Sequence, residues 1–110
     1  MTQKIWFGAR TVYDATPKED KEVKTYEERV VVLLATDFDE AIEKAECEAN
    51  TYAAESDMEY LGYVNVFQIF NDNIDDKTEV YSLMWDSILD ASKYIDTFFD
   101  TGSEKTLRED

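Results

Sequence analysis

The run Val30-Val31-Val32-Leu33-Leu34 constrains this chain most, because it passes within four residues into a stretch of helical period. β-Branched and aliphatic residues in unbroken succession suit a strand covered on both faces. The sequence therefore predicts a strand over Tyr26 to Ala35 at the centre of a sheet. In the stretch that follows, Phe38, Ala41, Ile42, Ala45, Ala49, Tyr52 and Ala53 fall within about 120° of one another at ~100° per residue, the apolar stripe of an amphipathic helix. Thr36 or Asp37 supplies its cap, and Asp39 and Glu40 sit where the positive end of the helix dipole favours acids. The opposite face carries Asp39, Glu40, Glu43, Glu46 and Cys47.

Other segments fill in around this pair. Lys4 to Tyr13 is rich in β-branched and aromatic residues, with Ile5, Phe7, Ala9 and Thr11 on one side of a period-two pattern, and reads as the first strand. Asp14 to Thr25 is polar, holds Pro17, and suits a loop. Tyr60 to Phe70 has strand composition on both sides of its pleat, so covering on both faces is expected there too. Asn71 to Lys77 is a turn by its asparagines and aspartates, which bond their own local backbone. Thr78 to Trp85 is then expected as a fourth strand. A second helix, capped by Asp86 or Ser87, would carry Ile88, Ala91, Ser92, Ile95, Phe98 and Phe99 as its stripe and stop at Gly102. The order ββαββα predicts an α+β fold: a four-stranded, mainly antiparallel sheet with two helices packed on one face. Residues 1–102 would form a single domain, and 103–110 a polar, frayed tail.

Charge narrows the function classes. The net charge of −15 is uneven: Met1 to Thr36 holds six acids and six bases, Asp37 to Glu59 nine acids against Lys44, and Asn71 to Asp110 eleven acids against four bases. Such a field repels nucleic acid and anionic membrane and favours basic partners. A hydrophobic fraction of 44% with 14% aromatic residues nevertheless points to a folded core. The absence of a long apolar run and the single Cys47 lead to the expectation of a cytoplasmic protein.

Residues for ordinary catalysis are missing. No histidine is present, which removes the commonest general base and every Ser-His or Cys-His nucleophile. Cys47 lies among Glu43, Glu46 and Glu48, whose charge works against a thiolate. Gly8, Gly62 and Gly102 are too far apart for a phosphate-cradling loop. Asp72, Asp75, Asp76 and Glu79 offer oxygen ligands but lack the alternation and central glycine of a calcium-binding loop. The expectation is a protein that is not an enzyme and takes no cofactor or metal.

Several short pieces carry a resemblance: Trp6-Phe7, Glu40-Ala41, Lys44-Ala45-Glu46, Glu59-Tyr60-Leu61-Gly62, Val66-Phe67-Gln68-Ile69-Phe70 and Thr78-Glu79-Val80-Tyr81-Ser82. Together they are similar to a family of small bacterial domains of unknown function, numbered four-two-eight-eight. The resemblance implies a bacterial, cytoplasmic setting among proteins of unassigned or defensive roles, and it supplies no catalytic residues.

What remains is the acidic surface. Asp39, Glu40, Glu43, Glu46, Asp72, Asp75, Asp76, Asp90 and Asp96 are the candidate partner-binding residues, on the condition that the two helices and the 71–79 turn lie near one another. By functional type the chain resembles acidic immunity proteins, which neutralise a basic toxin such as a nuclease by occluding its active or substrate-binding site. The alternative is an accessory or sensing domain of unknown ligand, binding through its sheet, with the acids serving solubility alone. A homodimer is compatible with either.

Overall fold

A computed structural model describes residues 3–19, 22–70 and 73–104. Three strands follow the sequence pattern closely: β1, Ile5–Asp14; β2, Tyr26–Ala35; and β3, Glu59–Gln68. They form one antiparallel sheet in the order β2-β1-β3. β1 is thus the central strand, and β2, expected at the centre, lies at an edge. β2 pairs with β1 without interruption from Ile5↔Ala35 to Asp14↔Tyr26. The β1–β3 pairing is broken once: Thr11 faces Val64 and Tyr13 faces Tyr60, so Leu61, Gly62 and Tyr63 stand opposite Val12 alone. Gly62, at φ 83, provides the left-handed backbone this bulge uses.

The helix α1, Phe38–Ser56, packs across one face of all three strands. Asp37 is its N-cap, and its side chain accepts from the Glu40 N–H at 2.8 Å. Glu40 reaches back to Thr36, accepting from its backbone N–H at 3.3 Å and its hydroxyl at 3.0 Å. The cap motif therefore fixes where β2 ends and α1 begins. Asp57, at φ 56, closes the helix.

Packing uses small residues on the helix and large ones on the strands. Ala41, Ala45, Ala49 and Ala53 are the buried row of α1, which lets the helix approach closely. One cluster joins Phe7, Ala35 and Ala41, with the Phe38 ring edge-on to Phe7 at 5.0 Å. A second joins Tyr13, Ala49 and Ala53, with Tyr52 and Tyr60 at 5.1 and 5.7 Å from the Tyr13 ring. The buried Tyr13 hydroxyl is satisfied by Thr11 Oγ1 at 2.6 Å. Phe38 and Ile42, expected within the buried stripe, flank the alanine row and stay substantially exposed.

Two expectations fail beyond β3. Among the described residues, Thr78 to Trp85 pairs with no strand, so the sheet has three strands and not four. β3, an edge strand, is bulged at Leu61 to Tyr63 in its pairing with β1, an irregularity that disfavours addition of a further strand. The segment instead lays Tyr81 on the side of the sheet away from α1, its ring 4.6 Å from Phe67 and its hydroxyl accepting from Arg10 Nη1 at 3.1 Å. The expected second helix is also much shorter. It consists of α2, Ala91–Tyr94, capped by Asp90 and not by Asp86 or Ser87, and a π-helical turn, Ile95–Phe99. These contact each other and neither the strands nor α1, so one helix, not two, covers the sheet. The tail expected over 103–110 falls, from 105 onward, outside the described residues.

Candidate protein-interaction surfaces

Two faces of this architecture differ in chemistry. On the outer side of α1, Asp39 and Glu43 are exposed and Glu46 is half-buried. The one base of the helix, Lys44, turns back to donate to the Leu34 carbonyl. Arg29 of β2 is committed as well: it pairs with Glu48 at 2.5 Å and lies over the Tyr52 ring at 3.7 Å. The Glu48 carboxylate holds the Arg29 pKa above its ordinary value, and partial burial opposes this. Tyr52 completes the group by donating to Glu27 at 2.6 Å, a bond that raises the tyrosine's pKa together with burial. Among the described residues, Asp39, Glu43 and Glu46 consequently have no ion-pair partner.

The other candidate acids are dispersed. Glu40 is engaged by Thr36 and is part of the helix cap. Asp75 and Asp76 are exposed in the turn before Thr78, where Asp75 Oδ1 accepts from the Thr78 hydroxyl at 3.1 Å. Asp90 caps α2 through a bond from the Lys93 N–H at 2.9 Å, and Asp96 is exposed in the π-helical turn. Asp72 lies outside the described residues. α1 makes no contact with α2 or the π-helical turn. Asp39, Glu43 and Glu46 thus share one helix face, while Asp90 and Asp96 belong to a separate element. Among the described residues, no group of three or more acids or cysteines is placed to hold a metal ion.

The face away from α1 is the sheet surface of the accessory-domain alternative, for which the sequence named no residues. It presents Trp6, Arg10 and Val12 from β1, Glu28, Val30, Val32 and Leu34 from β2, and Tyr63, Asn65 and Phe67 from β3, since register partners share a side. Val30 and Val32, expected to be covered, are 49% and 46% exposed, and Tyr63 is 75% exposed. Arg10 sits in the middle, with Glu28 at 3.8 Å and Tyr81 above. Beside it lies a shallow groove of 340 Å³ lined by Arg10, Val12, Glu28, Tyr63 and Asn65. Gly8 was the available signal. A glycine within a strand of aromatic and β-branched residues marks a close approach, and here the Phe67 ring occupies the space its Cβ would take, 2.3 Å from the ideal position.

Residues 6–82 match the family described as a domain of unknown function, DUF4288. The chain belongs to this family. Its DUF4288 span contains the whole sheet from Trp6, α1 and the Tyr81 contact, and it stops at Ser82, just before the exposed apolar residues Leu83, Met84 and Trp85. No curated protein and no solved structure matches the chain. Among the described residues, no helix is long and apolar enough to cross a membrane.

Proposed function

We propose that this DUF4288 protein is a small acidic inhibitor of the immunity type, which neutralises a basic toxin, a nuclease in the first instance, by docking on its substrate-binding site. The observation that supports this reading is the uncompensated outer face of α1, where Asp39, Glu43 and Glu46 have no cation partner among the described residues. Carboxylates spaced along a rigid helix can take the places of substrate phosphates against Lys and Arg of the partner. Lys44, tied to the Leu34 carbonyl, and Arg29, paired with Glu48, form no ion pair with these three acids. Electrostatic docking of this kind is steered, and it weakens as salt screens the charges.

The test is capture of the partner on the tagged protein at low salt, elution with rising salt, and an activity assay of the eluted partner. The proposal expects a basic protein whose activity is inhibited stoichiometrically and whose retention falls steeply between ~50 and ~500 mM salt. Asp39→Lys with Glu43→Lys should abolish capture without unfolding the protein, because both side chains are exposed. A partner indifferent to these substitutions and to salt would sink the reading.

One observation favours the second reading, an accessory domain that binds another subunit through its sheet. The face away from α1 exposes an apolar surface that a solubilising coat of acids does not explain.

A further inference from the structure

The region after Ser82 behaves as an arm. Leu83, Met84, Trp85, Ile88, Ile95, Phe98 and Phe99 are each at least 44% exposed. At roughly 200 Å² for a fully exposed large side chain, they offer about 900 Å² of apolar surface. Summed over the arm, this is comparable to what one partner contributes to a standard interface, about 800 Å². The arm's own structure is slight: α2 has four residues, and Trp85, Tyr94 and Phe98 form a small ring cluster at 4.6 to 6.0 Å. A helix this short is marginal in water without a surface to pack on.

We propose that the surface it packs on is the open sheet face of a second copy, so that two chains exchange arms across a two-fold axis. This names the occupant that the subunit-binding reading leaves open, and rests on that reading; it uses no part of the acidic face of α1. Three observations converge on a second copy. The open face between Trp6 and Val12 is nearly neutral in a chain of net charge −15, because its Arg10 and Glu28 lie 3.8 Å apart and offset each other. The arm from Leu83 to Phe99 carries Lys93 against Asp86, Asp90 and Asp96, a net −2, and meets this near-neutral face rather than another acidic one. These are surfaces on which two strongly acidic chains can meet with little repulsion. Finally, the root of the arm is already seated: Tyr81 is fixed over Phe67 and Arg10, yet α2 and the π-helical turn make no contact with their own strands. Val30, Val32 and Leu34 on β2 are left for the partner's arm. In such a dimer both α1 helices face outward, leaving the acidic surfaces accessible twice.

The experiment is the solution mass of the full chain by light scattering or sedimentation from ~1 to ~100 µM, for the wild type, Val32→Glu and Phe99→Glu. The wild type is expected at twice the 12.8 kDa chain mass. Both variants are expected at the single-chain mass with unchanged far-ultraviolet circular dichroism, since both side chains are solvent-facing in the isolated protomer. The dimer should persist at ~500 mM salt, where steered docking to a basic partner is screened away. A monomeric wild type at every concentration would overturn self-association, while a salt-stable partner other than the chain itself would still sustain the subunit-binding reading. A dimer lost in Val32→Glu but kept in Phe99→Glu would show the faces meeting directly and overturn arm exchange.

Discussion

Replacing Gly8 with alanine tests the packing of the open face most directly. The new Cβ would stand 2.3 Å from Phe67 Cε2 and Cζ and 3.1 Å from Cδ2, so the ring has to leave. Its departure forfeits the tilted ring contact with Tyr81, and such ring pairs contribute about 0.5–1.5 kcal/mol. Tyr81 then loses its seat, and with it the bond from Arg10, about 1 kcal/mol net. Against this, removing a glycine from a strand with no left-handed backbone requirement stabilises by about 0.4–1 kcal/mol through the unfolded chain. The balance is a loss of about 0.5–2 kcal/mol, which for a domain of this size lowers Tm by roughly 3–10 °C. Urea or thermal unfolding measures it, with the Phe67→Ala background as control: there Gly8→Ala should become neutral or stabilising. If Gly8→Ala is as stable as the wild type, or costs the same with and without the Phe67 ring, the reasoning is refuted.

Further consequences concern the core and the helix. Tyr60 buries a hydroxyl with no hydrogen-bond partner among the described residues, so Tyr60→Phe should stabilise by about 1 kcal/mol in denaturant unfolding. Burial, ahead of the Glu46 carboxylate and Tyr13, raises the pKa of the same hydroxyl. The sign follows: a folded pKa above the unfolded one favours the folded protein fully below pH ~10 and turns against it as pH rises further, so the alkaline loss of stability should shrink in Tyr60→Phe. Asp37→Ala removes the cap bond to Glu40 and should cost about 1 kcal/mol, read as a lower denaturant midpoint with unchanged slope. Ala49→Leu forces a large side chain between α1 and Tyr13, and a loss of about 1–3 kcal/mol is expected by the same measurement. An Ala49→Leu protein as stable as the wild type would mean that α1 is not seated as closely as its alanine row indicates.

Elements whose signals are local could be read from the residues alone. β1, β2 and β3 lie within one or two residues of their expected bounds, and α1 starts where its cap was expected, because alternation, the alanine-rich stripe and the Asp37 cap act within a few residues of chain. The candidate site was legible in part: Asp39, Glu43 and Glu46 share a face because helical period dictates it, whereas Asp90 and Asp96 were grouped with them on the assumption of a second helix packed beside α1. That helix does pack on something in any chain whose apolar stripe is satisfied internally, but the stripe of Ile88, Ile95 and Phe99 has no such partner here.

The sequence by itself determined the identity of β1, β2, α1 and β3, the segregation of excess negative charge after Thr36, and the absence of histidine, each legible along the chain without knowledge of its packing. Tertiary structure alone decided that β1 and not β2 is central, that Tyr81 lies over a sheet face while Thr78 to Trp85 pairs with no strand, and that Val30 and Val32 meet solvent. The physical reason is that an apolar residue carries the same preference for burial wherever it is placed. Whether a partner surface reaches it depends on strand order, on the bulge at Gly62 and on the Phe67 ring over Gly8, contacts between residues that are distant in the chain.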